Sequence, residues 1–401
     1  MGPDLYARIH AHIAAAKYAR RHKQASKLAA LAAAIAKQAK QPNKRRVRMD
    51  WAERLASLTD EEFAKRYRMG KAPFAELVEL LKERETAKRS QAQGIPTEQK
   101  LSMTLRYLAG GSHWDVMDLH GVAPSTLRKI VKWTVKQINT VLTIEFPMAD
   151  EARLKRIAAG FSELSGHIID GCVGDVDGVM IKITKPSYNG SQFYCRKGFF
   201  ALNVQAVVDS TRTINYLAIG STGSTHDSTA WKATKMFRAM EAGKLPVEYY
   251  ICGDDAYSGC GEQMLCPYAG PNQPFAEDVF NFYQSRTRIA VECAFGELVG
   301  RWGILWRPLR HELPMATAII QCCARLHNWC IAHRADMRRF VRAAYAQKGD
   351  QDMGGGDPRP IFGTDPGGRP GNVVASSRRD ELRDDLVAAG MVRPQRSTYG
   401  R

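Results

Sequence analysis

The chain has 401 residues, enough for two domains and a substantial core. Its 58 lysines and arginines against 41 acidic residues give a formal charge of +17, about +10 of it within residues 1–50. That balance points to a polyanion, most simply nucleic acid, and away from an acidic small-molecule substrate. The nine cysteines form no CxxC pair and read as reduced thiols of an intracellular protein, and no apolar stretch approaches the length of a membrane span, so no membrane partner is expected.

Residues 5–40, rich in Ala, Lys and Arg and free of Gly and Pro, predict a basic helix. Lys44-Arg-Arg-Val-Arg48 adds a basic cluster suited to nuclear import or phosphate contact. Residues 1–48 thus form a basic arm, although its acid-poor composition also fits a mitochondrial transit peptide. From Asp50 to about Leu142 apolar residues recur at helical spacing, with a helix start at Leu58-Thr-Asp-Glu-Glu62 and a polar linker over 83–98. Between His113 and Lys132 the pattern predicts two crossing helices, with Gly121 at the turn and Pro124 and Ser125 opening the second. Arg128, Lys132 and Lys136 then share one outer face beside Lys129. With Ser125 and Thr126 they make residues 49–150 a helical helix-turn-helix domain with a basic recognition helix.

Residues 151–343 read as an α/β domain. Gly171–Ile183 is an apolar, β-branched strand holding two acids, Asp175 and Asp177. A carboxylate inside such a strand is costly unless it is hydrogen-bonded or holds a cation. Phe199–Val208 and Ile214–Ile219 are further strands. Thr225-His-Asp-Ser228 opens a helix that Asp227 or Thr225 is suited to cap. Val247–Tyr257 is a strand ending in Asp254 and Asp255, and loop-like sequence runs from Ser258 to Asp278. A helix from about Ser285 places Val291, Phe295, Leu298 and Trp302 inward, with Glu292 one turn after Arg288. A last amphipathic helix spans Met315–His333; its Cys322-Cys323…His327…Cys330…His333 run reads as buried small residues rather than zinc ligands. Residues 344–401, rich in Gly, Pro and Asp, predict a flexible tail with a short helix over 378–389.

Asp177, Asp254 and Glu292 thus stand in order on strand, strand end and helix. This arrangement resembles the DDE transposases of the PIF/Harbinger superfamily. Local motifs carry the resemblance: Val176-Asp-Gly-Val179, Cys195-Arg-Lys-Gly-Phe199, Leu202-Asn-Val-Gln-Ala206, Gly223-Ser-Thr-His-Asp-Ser228, Gly253-Asp-Asp-Ala-Tyr257 and Ser285–Gly296. The resemblance covers about residues 50–333, including the helix-turn-helix. The resemblance implies an α/β fold with an RNase H-like mixed sheet flanked by helices, preceded by the all-α helix-turn-helix region. It makes Asp177, Asp254 and Glu292 both catalytic and metal-binding, with Asp227, Asp255 and Arg288 as additional candidates. Asp227 competes with Asp254 for the second ligand position, and Ala256 departs from the family's usual Gly-Asp-x-Gly-Tyr.

The implied cofactor is Mg²⁺ or Mn²⁺, as two ions, because in-line displacement at phosphorus needs an activated attacking oxygen and a stabilised leaving oxygen. The implied function is a nuclear, metal-dependent DNA endonuclease and strand-transferase. Its partners would be double-stranded DNA of transposon ends and target, a Myb-like transposon-encoded protein, and a second copy of the chain. The competing readings are a domesticated DNA-binding regulator and a host nuclease.

Overall fold

The computed structural model describes residues 3–38, 46–85, 94–167, 169–270, 272–333 and 377–394. Lys44 and Arg45 of the basic cluster, the middle of the linker over 83–98 and the glycine runs of the tail lie outside the described residues. The chain divides into two units, Met1–Arg48 and Met49–Arg401.

The first unit contains helix α1 (Pro3–Gln38). Alanine, lysine and arginine are strong helix formers, and Tyr18, Leu28 and Leu31 on this helix are exposed. The second unit opens with α2 (Trp51–Ala56), capped by Asp50, and α3 (Asp60–Tyr67). At α3 the expected start is realised as a capping box, with Thr59 and Glu62 each accepting from the other's backbone amide. Then come α4 (Lys71–Glu85) and α5 (Thr97–Leu108). Trp51, Phe63, Tyr67 and Phe74 form one aromatic cluster, with ring centroids from 4.5 to 6.4 Å apart.

Two helices stand where the crossing pair is expected, α6 (His113–His120) and α7 (Pro124–Val141). Gly121 between them adopts φ 60°, a left-handed conformation that glycine takes without penalty. Leu127, Ile130, Val131, Val135 and Ile138 are buried, while Arg128, Lys129, Lys132 and Lys136 are exposed. Asn139 Nδ2 donates to the Ala318 carbonyl at 2.9 Å, so the inner side of α7 is tied to a helix of the α/β region.

Following α8 (Glu151–Ser165) is a five-stranded mixed sheet of order β3-β2-β1-β4-β5. Its strands are β1 (Cys172–Lys182), β2 (Ala201–Val208), β3 (Ile214–Thr222), β4 (Tyr250–Cys252) and β5 (Met264–Leu265). The β1–β2 and β2–β3 pairs are antiparallel; β1–β4 and β4–β5 are parallel. Between β3 and β4 lie α9 (Asp227–Lys232) and α10 (Lys235–Glu241). After β5 come α11 (Phe275–Arg301), α12 (Leu313–Ala332) and α13 (Ser377–Ala388). This is a mixed α/β domain with helices on both faces of the sheet.

Alternation along the strands sends side chains to two cores. Val179, Ile181, Val204 and Ala206 face one with Val291, Phe295 and α12; Val176 and Val207 face the other with Trp231 and Phe280. The first core continues into the helices before the sheet, as far as Phe63 and Leu77.

Several expectations need correction. Helix α11 begins ten residues earlier than Ser285, at Phe275, because Pro274 suits the position just before a helix. The stretch Ser258–Asp278 is not all loop: Met264 and Leu265 add a strand to the sheet edge. Residues 377–394 are not free tail. Leu382 and Leu386 are buried in the second core, and Arg379 lies over the Tyr268 ring at 4.1 Å. An acidic, basic-rich helix can dock in this way because two leucines four residues apart share one face.

Candidate active site

Strand register brings the two aspartates together. Asp175 of β1 pairs in parallel with Cys252 of β4. Two residues further along each chain stand Asp177 and Asp254. Asp177 is only 1% exposed; its Oδ1 accepts from the Gly178 amide at 2.7 Å, and its Oδ2 has no hydrogen-bond partner. Asp254 leaves the strand end with Oδ1 accepting from the Ala256 amide at 3.0 Å, which opens a short 3-10 turn. Asp255, the next residue, points outward, is exposed and accepts from Ser258 Oγ. The strand end therefore sends one aspartate in and its neighbour out.

Helix α11 crosses the same face of β1. Its residues Val291, Phe295 and Leu298 are buried as the spacing predicts, and Arg288 and Glu292 emerge one turn apart, with Nη2 and Oε1 4.0 Å from each other. Arg288 is largely buried, Glu292 half exposed. The Arg288 charge acts on Asp175, Asp177 and Asp254, and Glu292 acts on Asp175. Arg288 is thus the common electrostatic neighbour of the acids on three elements, and its Nε and Nη2 are buried with no hydrogen-bond partner.

Burial is the main force on these acids. It pushes the Asp177 carboxyl well above the ordinary range; Asp254 and Asp227 push the same way, while Arg288 and the Gly178 amide oppose it. Asp254 is raised to about 6, by burial first, with Arg288 opposing and Asp227 reinforcing. Like charges gathered in a dry site disfavour ionisation until a cation arrives.

Asp227 does not serve as the helix cap. The N-cap of α9 is His226, with no side-chain cap bond. Instead the Asp227 Oδ1 accepts from Asn203 Nδ2 at 2.8 Å and from Gln205 Nε2 at 2.9 Å. Tyr257 Oη donates to Gln205 Oε1 at 2.6 Å, which orients the amide so that its nitrogen faces Asp227. A Cβ on Gly178 would lie 2.2 Å from Asp227 Oδ1. The glycine after Asp177 is therefore a mid-strand opening that admits Asp227, not a turn. From there the Asp227 charge acts on both Asp177 and Asp254.

The buried amides Asn203 and Gln205 and the hydroxyl of Tyr257 hold Asp227 in place, yet the sequence reading gave them no role. The available signal was two amides at i, i+2 in an otherwise apolar strand.

Among the described residues, the metal-ligating atoms that lie within 4.8 Å of one another are those of Cys172, Asp175 and Cys252, all fully buried. This set is distinct from the trio. Burial, and then the Cys252 sulfur 3.6 Å away, raise the Cys172 thiol well above its ordinary value. Magnesium prefers hard oxygen donors, which Asp177, Asp254 and Glu292 provide and this set does not. The unpartnered Asp177 Oδ2 fits an oxygen-seeking cation. The cysteines of α12 are buried, and His327 bonds the Arg212 carbonyl at 3.0 Å, as expected of core residues rather than zinc ligands.

A strand aspartate, a strand-end aspartate and a helix glutamate thus stand around a mixed five-stranded sheet, the arrangement expected of a DDE-type domain. Residues 176–328 match the DDE superfamily endonuclease family. The chain is 26% identical over 298 residues to "Protein ALP1-like" of Arabidopsis thaliana, covering 68% of this chain and 71% of that one. It is 26% identical over 290 residues to "Putative nuclease HARBI1" of Bos taurus and 25% to the Homo sapiens protein of that name, in both cases covering 71% of this chain and 81% of the relative. No solved structure matches the chain. Among the described residues, no helix is long and apolar enough to cross a membrane.

Proposed function

We propose that the chain is a metal-dependent DNA endonuclease and strand-transferase acting at the ends of a Harbinger-type DNA transposon. The observation that carries this reading is the approach of Asp177 and Asp254 on adjacent parallel strands, with Arg288 of α11 acting on both and Glu292 one turn further along that helix. The nuclease names of the HARBI1 relatives support the same chemistry.

In this reading Asp177, Asp254 and Glu292 hold Mg²⁺ or Mn²⁺, two ions in all. When bound, the ions supply Lewis-acid activation of the attacking oxygen and stabilise the leaving one. The remaining work belongs to the chain. Asp177 and Asp254 are anchored at one oxygen by the Gly178 and Ala256 amides, so the other oxygen is presented in a defined direction. Arg288 offsets the gathered negative charge. Asp227, tied down by Asn203 and Gln205, acts beside the site rather than as the second ligand. The exposed face of α7 at Ser125, Thr126, Arg128, Lys129 and Lys132, together with the basic arm, holds duplex DNA in the nucleus. A Myb-like partner and self-association belong to the same proposal.

The test is a cleavage assay on the terminal inverted repeats flanking the gene, with and without Mg²⁺. Asp177→Ala, Asp254→Ala and Glu292→Ala should each abolish cutting, while DNA affinity stays within about twofold because metal placement acts in the transition state. Cutting by all three variants at the parental rate would overturn the nuclease reading and leave a domesticated DNA-binding regulator. Cutting of DNA that carries no inverted repeat, with none beside the gene, would favour a host nuclease.

A further inference from the structure

The link between β1 and β2 has no part in the account so far. It ends in a tight turn, Cys195-Arg-Lys-Gly198. The Gly198 amide donates to the Cys195 carbonyl at 3.0 Å and the Cys195 amide to the Phe199 carbonyl at 2.9 Å. The two central residues of that turn are both cations, Arg196 and Lys197. Cys195 anchors it from below, only 3% exposed.

Opposite the turn lies the loop Gly223–His226. Ser224 fastens this loop to the link: its Oγ donates to the Gln192 carbonyl at 2.8 Å. Between turn and loop is a small open cleft of about 50 Å³, lined by Gly178, Arg196, Lys197, Ser224, Thr225 and Asp227, among others. The cleft therefore borders the residues that surround the carboxylates. Burial lowers the Lys197 pKa, and the Asp227 and Asp177 charges act against that lowering, so the ammonium stands within electrostatic reach of both acids. Immediately before the turn, Tyr194 is 51% exposed, with its ring centroid 5.2 Å from that of Phe200 and the two rings steeply inclined. Further back in the link, Tyr188 is 81% exposed.

Two cations on a hydrogen-bonded turn, a small cleft and an exposed aromatic ring form the combination that holds an unpaired nucleotide: cations take the backbone phosphate and the ring stacks the base. A paired base would keep its faces inside the duplex stack and gain nothing from the tyrosine. We propose that Arg196 and Lys197 seat a backbone phosphate of the DNA strand next to the cut, and that Tyr194 stacks its base, so that the preferred substrate is DNA with unpaired bases at that point. This rests on the nuclease reading and specifies its substrate.

The experiment uses the full chain with Ca²⁺ in place of Mg²⁺, so that binding is read without turnover. Two labelled probes are compared: a duplex, and the same duplex with a short unpaired stretch carrying a fluorescent adenine analogue. The wild-type chain should bind the unpaired probe about tenfold more tightly and quench the analogue. Tyr194→Ala should remove that preference and the quenching, and Tyr194→Phe should restore both, since the phenyl ring stacks as well. Arg196→Ala with Lys197→Ala should reduce the slope of log affinity against log salt by about one to two. Melting curves identify any variant that has lost its fold, and Tyr194→Phe then carries the test alone through its quenching. Equal affinity of the wild type for the two probes, or an unchanged preference in folded Tyr194→Ala, would overturn the stacking assignment. An unchanged salt slope would overturn the phosphate seat. Absence of any DNA binding by the wild-type chain would instead defeat the nuclease reading on which this inference stands.

Discussion

At the scale of single residues, the site depends on what surrounds each acid. Gly178 shows this most directly. A methyl group there would meet Asp227 Oδ1 at 2.2 Å and Gln205 Nε2 at 2.6 Å, both held by the same amide network. Gly178→Ala should therefore destabilise the protein by about 1–3 kcal/mol, as overpacking in a filled interior does. Adding Asp227→Ala to it should recover part of that loss, a coupling that a double-mutant cycle on denaturant unfolding measures. Additive losses would mean that the two groups do not collide.

A second residue-scale expectation concerns pH. His327 is fully buried, and burial first, with Arg301 second, holds its pKa at about 3 against an ordinary 6.5. The folded state thus binds fewer protons than the unfolded one between those values. Its stabilising share is complete above about 6.5 and is lost as pH falls toward 3. His327→Gln should lose less stability on acidification than the parent, and urea midpoints measured across that window check it.

At the scale of elements, α7 and α11 are built alike. Each buries one apolar stripe and projects charged side chains from another face. On α11 these are Arg288 and Glu292, one turn apart, aimed at the sheet acids. On α7 they are Arg128, Lys129 and Lys132, exposed and away from the buried Leu127, Ile130 and Val131. Replacing Arg128 and Lys129 together by Ala should weaken binding to terminal DNA by several-fold and leave the melting temperature unchanged. Fluorescence anisotropy at a stated salt concentration and a thermal melt decide it. Unchanged affinity would remove α7 from the DNA interface.

At the scale of the whole molecule, the charge is divided between the two units. Residues 1–48 carry 12 of the 58 basic residues and one acid, Asp4, and the buried cores lie in Met49–Arg401. Deleting residues 1–48 should leave the fold of the remainder intact, lower DNA affinity uniformly across sequences and flatten its salt dependence. A fluorescent fusion of residues 1–48 should accumulate in the nucleus; mitochondrial accumulation would mark the segment as a transit peptide. An unchanged salt slope after the deletion would exclude the arm as a source of phosphate contacts.

Sequence alone was enough for the order of Asp177, Asp254 and Glu292, and for the buried stripes of α7 and α11. Apolar periodicity is a local property that neighbouring residues reveal, and an acid in an apolar strand stands out against it. The choice between Asp254 and Asp227 was not legible. Only the fold shows that the parallel register of β1 with β4 brings Asp254 near Asp177, and that Gly178 leaves room for Asp227, whose charge acts on both. Nor could the chain show that Asn203, Gln205 and Tyr257 form one network, since they meet across strands from distant positions. The docking of α13 was hidden for the same reason. Two leucines in a charged, glycine-flanked segment mean little until the tertiary structure supplies the apolar surface that covers them.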